Sequence, residues 1–247
     1  RYGIADGAIR MAWHLLESSV YNGGLTEGGP ESILQARPTL EPAIERVNTH
    51  LDYDPGVLQG AWTLFVNAAP RLKNSDGYRY DLVDVTRQVL ANYASVVQQR
   101  FARAWKERDT AGFRKSSRQF LELMDDMDRL LATRKDFLLG KWIKEARACG
   151  ATPAEADLYE KNARDLITLW GDKESGLREY SCRQWSGLIS GFYKPRWELF
   201  FRRMELALTS GGELDWKAFD RDVKDWEWQW VNSHDPYATM MKGDAVQ

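Results

Sequence analysis

A chain of 247 residues can bury a full hydrophobic core and lies at the upper end of what one domain holds. Its 43% hydrophobic content, with 11 Trp, 10 Tyr and 9 Phe, excludes a disordered chain, and no apolar run approaches the ~18 residues of a membrane span. Thirty-four Lys and Arg against 36 Asp and Glu leave a net charge of −2, so no overall field draws in nucleic acid or an anionic membrane, and only a local basic patch stays open.

Apolar residues recur at three- and four-residue steps and strict alternation is missing, which predicts an all-α chain folded as an irregular, compact bundle of about eight to ten helices. Asp6 is placed to cap a first helix whose face carries Ile9, Trp13, Leu16 and Val20, ending at Asn22-Gly23-Gly24. Residues 22–53 then form a long excursion, rich in glycine and proline and poor in periodicity. Loops of that length inside a compact domain usually carry function. Asp54-Pro55 opens a second helix along Val57, Leu58, Ala61, Trp62 and Phe65, expected to stop before Pro70.

Ser75-Asp76 begins the longest pattern, a stripe of Tyr78, Leu82, Val85, Leu90, Tyr93, Val97, Phe101 and Trp105 reaching Glu107. A helix through Phe113, Phe120, Leu123, Met127 and Leu130 follows, then a shorter one through Phe137, Leu138 and Trp142 to Gly150. Thr152-Pro153-Ala154-Glu155 reads as a capping box that opens a helix ending near Trp170-Gly171. Periodicity on both sides of Pro195 predicts a helix over 177–208, bent or split at the proline. Asp215 caps the last, with Phe219, Val223, Trp226 and Trp230 on its face. No repeat of ~30–50 residues occurs, which excludes a regular solenoid.

Chemistry-bearing motifs are scarce. His14, His50 and His234 are scattered and read as isolated surface or loop residues, and Cys149 and Cys182 read as packing residues inside helical patterns. No phosphate loop, G-x-S-x-G elbow or H-E-x-x-H helix occurs, and neither a metal nor a cofactor is expected. Asp125-Asp126-Met127-Asp128 lacks the glycine and terminal glutamate of a calcium loop and reads as a solvated helix face. Aromatic stripes at helical spacing belong to a core. Tyr53, at the end of the long loop, and Trp170, at a helix end beside a glycine, fall outside such stripes and are candidates to present a ring to a sugar.

Several segments, in order along the chain, resemble the C-terminal region of the α-N-acetylglucosaminidase family, glycoside hydrolase family 89. The strongest is Tyr78-Arg79-Tyr80-Asp81-Leu82-Val83-Asp84-Val85-Thr86-Arg87-Gln88; others are Arg1-Tyr2-Gly3, Ser19-Val20-Tyr21-Asn22, Phe137-Leu138-Leu139-Gly140, Leu169-Trp170-Gly171 and Tyr193-Lys194-Pro195-Arg196-Trp197. The resemblance implies retaining hydrolysis of terminal α-linked N-acetylglucosamine, with heparan sulfate the substrate of the lysosomal members, by two carboxylates about 5 Å apart. It places both glutamates on a catalytic barrel upstream of Arg1, so that 1–247 is a single C-terminal domain that packs on the barrel, forms one wall of the pocket and is inactive alone.

Carried over by position, Tyr53 falls on a tyrosine that faces the pocket, and Asp52 departs from an aromatic usual at that place. Arg79, Asp81 and Arg87, on a helix that otherwise presents apolar residues, are expected to be structural polar ties. The absence of an Asn-x-Ser/Thr sequon favours a bacterial origin, hence a secreted or periplasmic protein, where animal members are lysosomal. Alternatives left open are a free-standing helical module that binds a protein partner through 22–53, or an autonomous carbohydrate-binding domain.

Overall fold

The computed structural model describes residues 2–3, 5–21, 32–44, 47–48, 51–178, 181 and 183–246, so the expectations on Arg1, Asn22 to Gly24, His50 and Cys182 lie outside the described residues. Within them the chain is all-α: α1 Gly7–Glu17, α2 Pro55–Leu72, α3 Asp76–Lys106, α4 Thr110–Ala132, α5 Leu139–Arg147, α6 Pro153–Leu166, α7 Lys194–Ser210 and α8 Trp216–Val231. One antiparallel pair, β1 Ala43–Ile44 with β2 Val47–Asn48, interrupts the long loop.

Helix starts follow the local cap chemistry. Asp6, Asp54, Ser75, Thr152 and Asp215 each accept a backbone N–H of the first turn, and Glu155 returns the bond to Thr152. Two hydrophobic clusters result. A smaller one joins α1, α2 and the first half of α3 through Leu16, Leu58, Phe65, Tyr78 and Leu82. The larger one runs from the middle of α3 through α4, α5, α7 and α8, where Phe101, Phe113, Phe120, Trp197 and Phe201 pack edge-to-face. Burying rings of this size contributes roughly 1.5–3 kcal/mol each.

Several expectations are corrected. α2 continues through Pro70 to Leu72. The proline sits one turn from the helix end, and the carbonyl it leaves without a donor belongs to Val66, which is exposed. Tyr93, read as part of the α3 stripe, is exposed, and Phe137 and Leu138 precede α5 rather than lying inside it. The described residues of 177–187 are not helical. A π-helical turn, Ile189–Tyr193, runs directly into α7, and Pro195, the second residue of α7, sits at that change of helix type. Asp128 anchors that turn by accepting from the Gly187 and Ser190 N–H groups at 2.8 and 3.1 Å, and Asp125 accepts from Lys194, so neither is merely a solvated face. Cys149 is exposed in the turn after α5, not a packing residue.

Part of the expected excursion, residues 33–39, is interior. Ile33, Leu34 and Ala36 are buried, and the segment is stitched in place by Trp197 Nε1 to Leu34 O (3.1 Å), Arg196 Nη2 to Gln35 O (2.7 Å) and Gln98 Nε2 to Glu41 O (3.1 Å). The residues after α8 form a second strap. Tyr237 lies against Gly187 and Gly191 and the Tyr237–Ala238 backbone against Gly140, while the Lys242 N–H reaches Ala132 O at 2.9 Å.

Candidate functional site

Asp54 caps α2 through Gly56 N at 2.8 Å, which fixes the direction of Tyr53 just ahead of the cap. The Tyr53 ring packs on the cluster that contains Leu58, four positions into the helix region, in the manner of a hydrophobic staple. Its hydroxyl accepts from Asn92 Nδ2 at 2.9 Å and Gln88 Nε2 at 3.4 Å on α3. The ring also borders an open groove of about 930 Å³ between α2 and α3, shared with Trp62, Gln59, Asn92 and Tyr93. Asp52 is exposed beside it.

Trp170 is built differently. α6 ends at Leu166; Ile167, Thr168 and Leu169 are buried, and Trp170 emerges 39% exposed with φ of 51°. The left-handed region costs a bulky residue roughly 1–2 kcal/mol, and glycine is the usual occupant at a helix end. The strained corner is held by Asp165, whose carbonyl accepts from Trp170 N at 2.9 Å and whose Oδ1 accepts from Gly171 N at 3.2 Å. Beyond it, Lys173 pairs with Asp225, Glu174 accepts from Lys224 at 2.7 Å, and Ser181 Oγ donates to Ile167 O at 3.0 Å. Tyr53 belongs to the smaller cluster, whereas Ile167 and Leu169, just before Trp170, belong to the larger one.

Arg79, Asp81 and Arg87 of α3 all make bonds outside their own turn or across it. Arg79 donates to Lys73 O at 2.5 Å and to Asp244 at 3.1 Å, tying the helix start to the C-terminal strap. Asp81 is buried and accepts from the Tyr2 hydroxyl, which in turn accepts from Trp13 Nε1 at 3.0 Å. Arg87 bridges Asp84 at 2.9 Å and Gln184 Oε1 at 3.0 Å, linking α3 to the segment before the π-helical turn.

The most deeply buried charges lay beyond reach of sequence reasoning. Glu227 is fully buried and accepts from Arg196 at 2.7 Å and from Arg37, whose Nη1 also reaches Asp220 at 2.9 Å. Partners 31 and 190 positions apart leave no local pattern to read. His234 also departs from its isolated reading, because its Nδ1 lies 3.1 Å from Glu160 Oε2. Asp157, Glu160 and His234 are close enough to share a cation, yet Arg147 Nη1 already contacts Asp157 at 2.8 Å and Glu160 at 2.5 Å, and Arg164 contacts Glu160 at 2.7 Å. Burial alone pushes the Glu160 carboxyl up, but the bonds from Arg164, His234 and Arg147 outweigh it and hold it below the ordinary value. The positive charge this cluster needs is supplied by guanidinium.

Comparison with known proteins agrees with this architecture. The family model described as the α-N-acetylglucosaminidase (NAGLU) C-terminal domain matches residues 1–247. The human α-N-acetylglucosaminidase is 34% identical over 249 residues, covering 100% of this chain and 33% of its own length. The family 89 glycoside hydrolase of Clostridium perfringens, bound to 2-acetamido-1,2-dideoxynojirmycin, superposes with a TM-score of 0.88 at 32% identity, over 100% of this chain and 29% of its own. A doubly substituted form of that hydrolase, bound to its substrate GlcNAc-α-1,4-galactose, does so with the same score and identity over 99% of this chain and 29% of its own. The chain therefore spans about a third of the length of the relatives it matches. It belongs to the α-N-acetylglucosaminidase C-terminal domain family.

Proposed function

We propose that residues 1–247 are the C-terminal helical domain of a retaining α-N-acetylglucosaminidase, that an upstream barrel supplies its two glutamates, and that Trp170 forms part of the wall facing the terminal sugar. The observation that carries this reading is the likeness over 99% of the chain, at 32% identity, to a hydrolase bound to GlcNAc-α-1,4-galactose. The choice of Trp170 rests on its strain. An exposed indole kept in a conformation suited to glycine, with a glycine next door, is a feature that stability alone would remove. Tyr53, with Asp52 beside it, is proposed as a second part of the wall, while Arg79, Asp81 and Arg87 act as structural ties. A location outside the cytoplasm belongs to the same proposal, and fractionation of the producing cells tests it.

The experiment uses the complete polypeptide that carries this domain, with release of p-nitrophenol from its α-N-acetylglucosaminide as the readout. The domain alone is expected to give only the blank rate, because positioned carboxylates supply most of the acceleration in such hydrolysis. Trp170→Ala is expected to lower kcat/KM at least tenfold, about 1.4 kcal/mol of transition-state stabilisation, with the melting temperature little changed, because alanine keeps the Cβ that makes φ of 51° unfavourable. An unaltered kcat/KM in a folded Trp170→Ala enzyme would remove Trp170 from the wall.

A further inference from the structure

Asp165 supplies several of the bonds at the corner that holds Trp170, beside Ser175 Oγ, which donates to Trp170 O at 3.4 Å. Asp165 contributes both acceptors that its peptide units use: the main-chain carbonyl takes the Trp170 N–H at 2.9 Å, and the same carbonyl takes the Thr168 N–H at 3.0 Å. The side-chain Oδ1 takes the Gly171 N–H at 3.2 Å. Trp170 at φ 51° and Gly171 at φ 157° together turn the chain sharply, and a Cβ on Gly171 would meet Ser175 Cβ and Oγ at 3.0 Å, so the turn has little room to relax by itself. A residue in a sparsely populated backbone region persists only where its surroundings over-determine it. Here the Asp165 carboxylate is the side-chain restraint on the Gly171 amide.

We infer that Asp165 is a positioning residue for sugar binding, its carboxylate holding the Gly171 amide so that the Trp170 ring is presented at a fixed angle. This rests on the reading that Trp170 faces the sugar. Two observations set Asp165 apart from an ordinary helix-end acid. First, it lies in the last turn of α6, where the helix dipole is negative and a carboxylate is the unfavourable choice. Second, burial pushes its carboxyl above the usual range, with Asp172 adding to the shift, even though the Gly171 N–H and Lys161 act in the other direction. An acid kept where both burial and dipole oppose its charge is retained for the bond it makes.

The rest of the loop does not depend on it. Lys173 to Asp225 and Glu174 to Lys224 fasten the start of the loop to α8, and Ser181 to Ile167 O ties Ser181 to the loop entrance, all independently of Asp165. Removing the Asp165 carboxylate therefore releases the Gly171 amide and leaves the main-chain bond to Trp170 N and the surrounding fold in place.

The test compares Asp165→Ala, Asp165→Asn and Trp170→Ala in the complete enzyme, with kcat and KM resolved separately. Asparagine keeps an Oδ1 acceptor for Gly171 and discards the charge. The expected result is a KM raised at least fivefold by Asp165→Ala with kcat within twofold, and a KM restored to within twofold of the parent by Asp165→Asn. If Asp165→Ala does not fold, Asp165→Ser, whose oxygen is one bond too short to reach the amide, takes its place with the same expectation. A folded truncation variant with parental KM, or an asparagine variant as impaired as alanine, overturns the inference. When Trp170→Ala raises KM but the truncations do not, only the role of Asp165 falls. When Trp170→Ala itself leaves KM unchanged, the reading beneath it falls as well.

Discussion

The C-terminal strap gives the sharpest stability prediction, because it is seated on glycines that no local pattern explains. Gly191 lies in the π-helical turn with an ordinary negative φ, so alanine there meets no backbone strain, but its Cβ would stand 2.5 Å from the Tyr237 hydroxyl and 2.7 Å from Cε1. Something must move. The ring cannot leave cheaply, since its hydroxyl accepts from Trp230 Nε1 at 2.8 Å and Arg164 stacks on it at 5.3 Å. Overpacking of this kind costs about 1–3 kcal/mol, and losing the indole bond adds about 1 kcal/mol. Gly191→Ala should therefore lower stability by roughly 2–4 kcal/mol, a fall in Tm of roughly 5–15 °C for a chain of this size. Gly211→Ala is the control: its φ of 71° is strained, but nothing lies within 4 Å, so the expected loss is only about 1 kcal/mol. Urea unfolding reads both. In a Tyr237→Ala background the Gly191→Ala change should cost less than about 0.5 kcal/mol, because the clash is gone. Equal penalties in the two backgrounds would refute the slot.

Three further outcomes are expected. Glu227→Ala leaves Arg196 and Arg37 without their buried carboxylate and should cost about 3–5 kcal/mol in urea unfolding, and a loss below about 1 kcal/mol would show the guanidiniums re-solvated. Arg87→Ala, which severs α3 from Gln184, should cost about 1 kcal/mol and leave kcat/KM of the complete enzyme intact; activity lost at unchanged Tm would mark it as more than a tie. Tyr53→Ala should lower both Tm and kcat/KM, the latter by roughly tenfold, whereas a lower Tm with parental kcat/KM would leave Tyr53 as a hydrophobic staple alone.

What could be read from the sequence follows the range of the interactions involved. The caps at Asp6, Asp54, Ser75, Thr152 and Asp215 act over three residues and were all legible. The break before the π-helical turn was not, because distant groups set it: Ser186 pairs with Leu138, Gly187 takes φ of 87°, and Asp128 from α4 supplies the acceptor for the next turn. The same holds for residues 32–42, whose prolines and lack of periodicity predicted a loop. Their backbone is instead bonded by Arg196, Trp197 and Gln98, more than 50 positions away.

The candidate site divides along the same line. Tyr53 and Trp170 could be singled out by position, one before a cap and the other beside a glycine, but what fixes each ring could not. Glycine at 171 suggests that the left-handed residue is the glycine, as at most helix ends. The chain instead places the left-handed turn one residue earlier, on the indole, and gives the following amide to Asp165. Moving the strain from Gly171 to Trp170 changes where the side chain points without changing the apolar pattern of α6. Sequence periodicity is therefore blind to it, and a function that needs an aromatic face at a set angle has a reason to keep it.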